Sequence, residues 1–172
     1  MAKYRGTGTV LETDYHSVKW VGKTKGGSAV TIIMEKAINM GAMDWAFAEK
    51  NETVAQVVFT GVYQNTDEPA NETTEPWTIT IDGEPTGAAE IILGAGLFYL
   101  DDACIGLTRG GGSFSRGATF RNINADGDRG PVEGRVTIDD VTPTLTMNTL
   151  QILRSVTSLY PGIEKVTEEQ TV

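Results

Sequence analysis

A chain of 172 residues with 40% hydrophobic and 22% charged side chains is sized for one well-buried domain, spanning 1–172, and has an ordinary globular composition. Its 14 basic and 23 acidic residues leave a formal charge of −9, which argues against a surface built to grip nucleic-acid phosphates. No apolar run approaches the roughly 20 residues of a bilayer-spanning helix, the first residues read as no secretory signal, and a single cysteine excludes an internal disulfide or a multi-cysteine zinc site.

Along the chain the dominant hydrophobic period is two, the period of a strand with one buried face. A strand is expected around His16. Val30, Ile32 and Met34 then alternate with Thr31, Ile33 and Glu35, and Trp45 and Phe47 alternate with Asp44, Ala46 and Ala48. Val57 to Tyr63 and Trp77 to Ile81 repeat the signal. Between them, residues 64–76 hold four carboxylates, two prolines and no base, the composition of a solvated loop. Further strands are expected at Leu97–Tyr99, Val136–Ile138 and Leu145–Met147, and Cys104, beside Ile105, reads as buried packing. Gly110-Gly-Gly-Ser113 reads as a flexible turn, and the polar, glycine-rich stretch 124–134 as a turn joining two strands.

One segment departs from that rhythm. From Thr149 to Tyr160 the apolar residues Ile152, Leu153, Val156 and Leu159 fall at helical spacing. Asn148 or Thr149 is placed to cap the start and Pro161-Gly162 to end the run. The expected fold is therefore mainly β, an antiparallel sandwich or barrel-like domain with one flanking α-helix. A short echo, Val21-Gly-Lys-Thr-Lys-Gly-Gly27 against Ile105-Gly-Leu-Thr-Arg-Gly-Gly111, reads as a duplication or as two similar turns.

Motifs that could carry chemistry fail at named positions. Gly22-Lys-Thr24 ends like a phosphate-binding loop, but Ser17 stands where its first glycine is required and no strand-to-helix transition follows. Asn124, Asp126 and Asp128 have the spacing of a calcium loop, yet Arg129 replaces the glycine of its sharp turn and Arg135 the bidentate glutamate. His16 is the sole histidine and reads as structural, hydrogen-bonded to a neighbour. Asp101-Asp102 and Asp139-Asp140 are adjacent pairs whose side chains diverge in a strand, so they read as strand ends. No catalytic, cofactor-binding or metal residue is assigned, and the reading is that of a protein without enzymatic activity.

Before position 90 every base except Arg5 is lysine, and after it every base except Lys165 is arginine. Arg109, Arg116, Arg121, Arg129 and Arg135 cluster around the second loop. The guanidinium fork favours bidentate pairing with carboxylates, which suits contact with an acidic protein surface, including a second copy of this chain. The candidate inter-subunit residues are accordingly Arg116, Arg121, Asn124, Asp126, Asp128, Arg129, Glu133 and Arg135.

Gly94-Ala-Gly-Leu-Phe-Tyr-Leu-Asp-Asp-Ala-Cys-Ile-Gly-Leu-Thr-Arg-Gly-Gly111, Asn124-Ala-Asp-Gly-Asp-Arg-Gly-Pro-Val-Glu-Gly-Arg135, Leu145-Thr-Met-Asn-Thr-Leu150 and Tyr160-Pro-Gly-Ile163 resemble the N-terminal half of the major tail, or tail tube, proteins of long-tailed bacteriophages. Asp14-Tyr-His-Ser-Val-Lys-Trp20, Val21-Gly-Lys-Thr24, Glu35-Lys-Ala-Ile-Asn-Met-Gly41, Phe59-Thr-Gly-Val-Tyr63 and Glu75-Pro-Trp-Thr-Ile79 resemble that family's C-terminal half. The order is reversed relative to the family: residues 1–82 correspond to its second half, 89–172 to its first, and 83–88 to a join. That is the order of a circular permutant, natural or engineered.

The resemblance implies a tail tube fold whose copies form hexameric rings, stacked into a hollow tube through which DNA passes without specific binding. It further implies a virion tail location after synthesis in the bacterial cytoplasm. The implied partners are further copies of the chain and the tape measure and tail terminator proteins, with no cofactor and no membrane. A β-sandwich that decorates a virion or serves as a binding module is the alternative.

Overall fold

The computed structural model describes residues 3–45, 47, 49, 51–63, 75–152 and 156–166. The chain is mainly β, antiparallel throughout, with one short helix. The strands are β1 (Lys3–Gly6), β2 (His16–Thr24), β3 (Ala29–Asn39), β4 (Ala55–Gly61), β5 (Thr78–Ile81), β6 (Ile92–Leu100), β7 (Ala103–Cys104), β8 (Thr108–Asn122), β9 (Val136–Thr149) and β10 (Ile163–Val166), and the helix is α1 (Val156–Leu159). Eight strands make one sheet in the order β7-β6-β2-β3-β4-β9-β8, with β5 also on β3. β1 and β10, from opposite ends of the chain, pair separately, with Lys3 opposite Val166 and Gly6 opposite Ile163.

The alternation read in the sequence selects the core face. Val18, Met34, Val57, Phe59, Leu145 and Met147 are all at most 2% exposed and point to one side of β2, β3, β4 and β9. Ile152, Val156, Leu159 and Tyr160 close over that side. The Trp20 indole lies over two glycines, Gly22 two residues along its own strand and Gly96 opposite Gly22 on β6: a Cβ at Gly22 would sit 2.2 Å from the indole, and one at Gly96 2.4 Å from it. Beside Trp20 a cleft of about 470 Å³ opens between β6 and β8, with Ile32, Phe98, Phe114 and Leu145 among its lining.

Several expectations are corrected. Asp44, Trp45 and Phe47 lie outside any strand. Trp45 turns inward to donate Nε1–H to the Tyr160 hydroxyl at 3.3 Å, whereas Phe47 is exposed, so the two aromatics do not share a buried face. Asn148 and Thr149 cap no helix; they end β9, paired with Gln56 and Ala55 of β4, and the Leu150 amide extends the ladder on the β8 side to the Leu107 carbonyl. Among the described residues the helix is only Val156–Leu159, although its buried side is the predicted one.

Gly110-Gly-Gly-Ser113 is not a turn but an irregularity inside β8, where Gly110 and Gly111 take φ of 82° and 72° between the pairs at Thr108 and Gly112. The two echoing segments therefore differ, one closing the β2–β3 hairpin and the other entering β8. Cys104 is exposed, because β7 is a two-residue edge strand that faces solvent. Asp101-Asp102 does form the β6–β7 turn, whereas Asp139-Asp140 lies inside β9. The expected loop at 64–76 falls, apart from Glu75 and Pro76, outside the described residues.

Candidate assembly interface

β8 and β9 pair with each other from Thr108↔Thr149 to Asn122↔Val136, but β4 flanks β9 only between Thr144 and Thr149. The remainder of the hairpin, Arg116–Asn122 with Val136–Pro143, has no strand beyond β9 among the described residues, and it forms an arm. Its two faces differ. Val141, opposite Ala118, is the last buried apolar residue of the core on this ladder. The register then shifts, with Thr119 opposite Asp140 and Phe120 opposite Ile138, so Asp139 is the extra residue and Ile138 returns to the face shared by Ala118 and Phe120. Phe120, Ile138 and Val136 thus continue the core face past the core, and they are 62%, 50% and 48% exposed.

The opposite face is polar and already satisfied. Arg121 Nε donates to both Asp139 oxygens at 2.8 and 3.1 Å, and the Thr137 hydroxyl donates to the same carboxylate at 3.1 Å. The Arg121 hydrogen bond holds the Asp139 carboxyl below its ordinary range. At the root of the arm Arg116 grips Glu75 with Nε at 2.6 Å and with Nη2. Glu75 also accepts from the Trp77 indole, whose ring tilts against Phe114 at 5.4 Å. The Arg116 hydrogen bond lowers the Glu75 pKa, while burial, then Glu75 and Asp140, push the Tyr63 hydroxyl up.

The tip loop is folded around Asp128, which accepts from the Ala125 amide at 2.7 Å and from Arg135 Nη1 at 2.7 Å. Asn122 donates its side-chain amide to Asn124, and Gly127 and Gly134, at φ of 95° and 78°, make the two reversals. All eight sequence candidates thus lie on this one hairpin and its loop. They divide in use: Arg116, Arg121, Asn124, Asp128 and Arg135 hold the arm's own shape, while Asp126, Arg129 and Glu133 are exposed and make no side-chain hydrogen bond or ion pair among the described residues. The fifth clustered arginine, Arg109, pairs with Glu52.

The sequence reading missed Phe120, Val136 and Ile138 as interface residues. Alternation marked Val136 and Ile138 as apolar-faced, but nothing local told a covered face from a bare one. His16, read as structural, does meet a carboxylate: Asp101 accepts from its Nδ1 side and from the Ser17 amide. Among the described residues no three His, Cys, Asp or Glu side chains converge as metal ligands do, and no helix is long and apolar enough to cross a membrane. Comparison of the chain with known protein families, curated proteins and solved structures finds no match.

Proposed function

We propose that the chain is a structural virion protein of the tail tube type, whose copies assemble into hexameric rings stacked as a hollow tube that conducts DNA. The observation that carries this reading is the bare apolar face of the β8–β9 arm. Phe120, Ile138 and Val136 extend the core pattern onto a hairpin whose apolar face is left open among the described residues, on strands stiffened by ion pairs on the other side. Such a face is stable in water only at a cost that burial against another protein removes. A projecting element that meets a different surface on the next copy is a head-to-tail contact, which closes into rings or propagates as a filament.

Two further features support the reading. The charge of −9 suits a tube through which DNA slides. The pairing of β1 with β10 sets Lys3 opposite Val166, and the join at 83–88 is mostly exposed, the arrangement that circular permutation of a domain tolerates. Further copies of the chain, the tape measure protein and the tail terminator protein are the proposed partners.

Negative-stain electron microscopy of the purified protein tests the proposal: hollow tubes or six-fold rings are expected. Strictly monomeric particles across concentration and salt would overturn the assembly claim. Joint replacement of Asp126, Arg129 and Glu133 by alanine should reduce tube yield without altering folding, since these three do not hold the loop together. Asp128→Ala is the control for loop collapse.

A further inference from the structure

The main sheet curls until strands far apart in its order touch. β6 and β8 have β2, β3, β4 and β9 between them, yet a Cβ at Gly112 of β8 would lie 2.7 Å from the Phe98 ring of β6. The cleft of about 470 Å³ opens beside that contact, where the β6–β2 ladder is irregular between Gly96 and Ile92. Trp20, Ile32, Phe114 and Leu145 give it an apolar lining, Gly94 and Gly96 leave it room, and none of its lining residues is charged. Its volume falls in the range of about 300–1,000 Å³ of pockets that receive a large apolar group.

The chain therefore carries two bare apolar surfaces of opposite shape, this recess and the projecting face of Phe120, Ile138 and Val136. We infer that the arm of one copy seats Phe120 in the cleft of the next, beside Trp20. The inference rests on the reading of the arm as an assembly element and names the surface that receives it.

Reach makes the contact one between copies. Gly112 in the cleft wall and Phe120 on the arm lie on one strand, laddered to β9 from Gly112↔Met147 to Phe120↔Ile138. Eight residues at about 3.3 Å each hold them roughly 26 Å apart, so the arm cannot enter the cleft of its own chain. Two different surfaces then meet, the heterologous kind of contact that closes a ring or propagates.

Charge identifies the second copy as the occupant. Two chains at −9 repel unless opposite charges meet locally. At the Ile92 end of the cleft the β2–β3 turn is pinned by the Lys25 amide on the Ile91 carbonyl at 2.7 Å and by the Gly26 amide on that of Ala89. This turn presents Lys23 and Lys25, exposed and without an ion pair among the described residues, while nearby Glu90 accepts from the Gly87 amide. The arm's tip presents Asp126 and Glu133, equally exposed and unpaired among the described residues, against one such base, Arg129. With Phe120 beside Trp20 and Gly96, Ile92 and the lysine turn lie four residues, about 13 Å, further along β6. The tip loop begins three residues beyond Phe120, about 10 Å, and so spans that distance.

The test is sedimentation velocity of the full chain over a concentration series, with urea unfolding of each variant as the check on folding. A Cβ at Gly94 meets no atom within 4 Å, so Gly94→Leu occupies the cleft without disturbing the fold. It should weaken assembly at least about tenfold, and combined with Phe120→Ala it should weaken it little more than either change alone, because both remove one contact. Summed effects in the combined variant would overturn the inference. Loss in Phe120→Ala with none in Gly94→Leu would overturn the cleft as the arm's seat and leave the arm reading standing, whereas no loss in Phe120→Ala would overturn the arm reading beneath it. Reversing the turn (Lys23→Glu with Lys25→Glu) and reversing the tip (Asp126→Lys with Glu133→Lys) should each weaken assembly at low salt at least about tenfold. All four changes together should restore it to within about threefold of the unaltered chain, and a loss that persists in that variant would overturn the inferred contact.

Discussion

Replacing Phe120 by alanine separates assembly from folding. The side chain is 62% exposed at the arm's apolar face. An aromatic side chain of this size presents about 150–250 Å² when fully exposed, so roughly 90–150 Å² is available for an incoming copy to cover. At about 25 cal/mol per Å² that burial is worth about 2–4 kcal/mol per copy. The lower figure is the better guide, because ordering and imperfect desolvation offset part of the gain. About 2 kcal/mol corresponds to a roughly thirtyfold weaker contact. The same substitution touches little of the core, so monomer stability should move by no more than about 0.5 kcal/mol. Sedimentation velocity over a concentration series reads the first quantity, and urea unfolding of the same preparation reads the second. An assembly midpoint unmoved within about threefold, with folding intact, would refute the claim that this face is buried between copies. A large loss of monomer stability would refute the claim that it lies outside the core.

Acid should destabilise the fold through paired carboxylates. The Glu75 pKa is depressed from its ordinary 4.5 mainly by the Arg116 hydrogen bond, and that of Asp139 from 3.8 mainly by the hydrogen bond from Arg121. A depressed folded-state value means stability that is present above the unfolded value and is lost as pH falls through the folded one. Glu75→Gln should therefore flatten the acid limb of Tm against pH, and an unchanged limb would show that the pair is not formed. Gly112→Ala should cost about 1–3 kcal/mol by urea unfolding, because the added Cβ would lie 2.2 Å from the Thr146 carbonyl oxygen and 2.7 Å from the Phe98 ring. A wild-type midpoint would refute that close approach. Cys104, exposed on β7, should react with a thiol reagent in the native protein at nearly the rate of a free thiol, whereas protection until unfolding would restore the packed reading.

Period-two alternation was enough to locate β3, β4, β5 and part of β6; in β3 and β4 the pattern reports burial directly, whereas β5 alternates although all four of its residues are exposed. It could not show that Val136–Ile138 and Leu145–Met147 are one strand. Pro143 between them reads as a break, yet it sits beyond the end of β4, where no ladder bond is demanded of it on that side. β8 was the least legible element: Thr-Arg-Gly-Gly-Gly-Ser has no hydrophobic period, and only pairing with β9 makes it extended. The helix failed at its start because Asn148 and Thr149 are as well suited to a strand as to a cap, and the ladder with β4 decides between them. Charge chemistry found the arm through its arginines, but those mostly fasten the arm to itself. The bare apolar residues emerged only when strand lengths could be compared across the sheet.

The meeting of β1 with β10 sets a timetable. Gly6 leaves the ribosome long before Ile163, and at roughly 5–20 residues per second the first strand waits on the order of 10–30 s for its mate. β9, which joins β4 to β8, is likewise one of the last strands made. Neither the β4-β9-β8 side of the sheet nor the pairing of β1 with β10 can close until those late strands have been made. Contacts of such long sequence separation make folding slow, and an incomplete chain is left without β9 to cover β4.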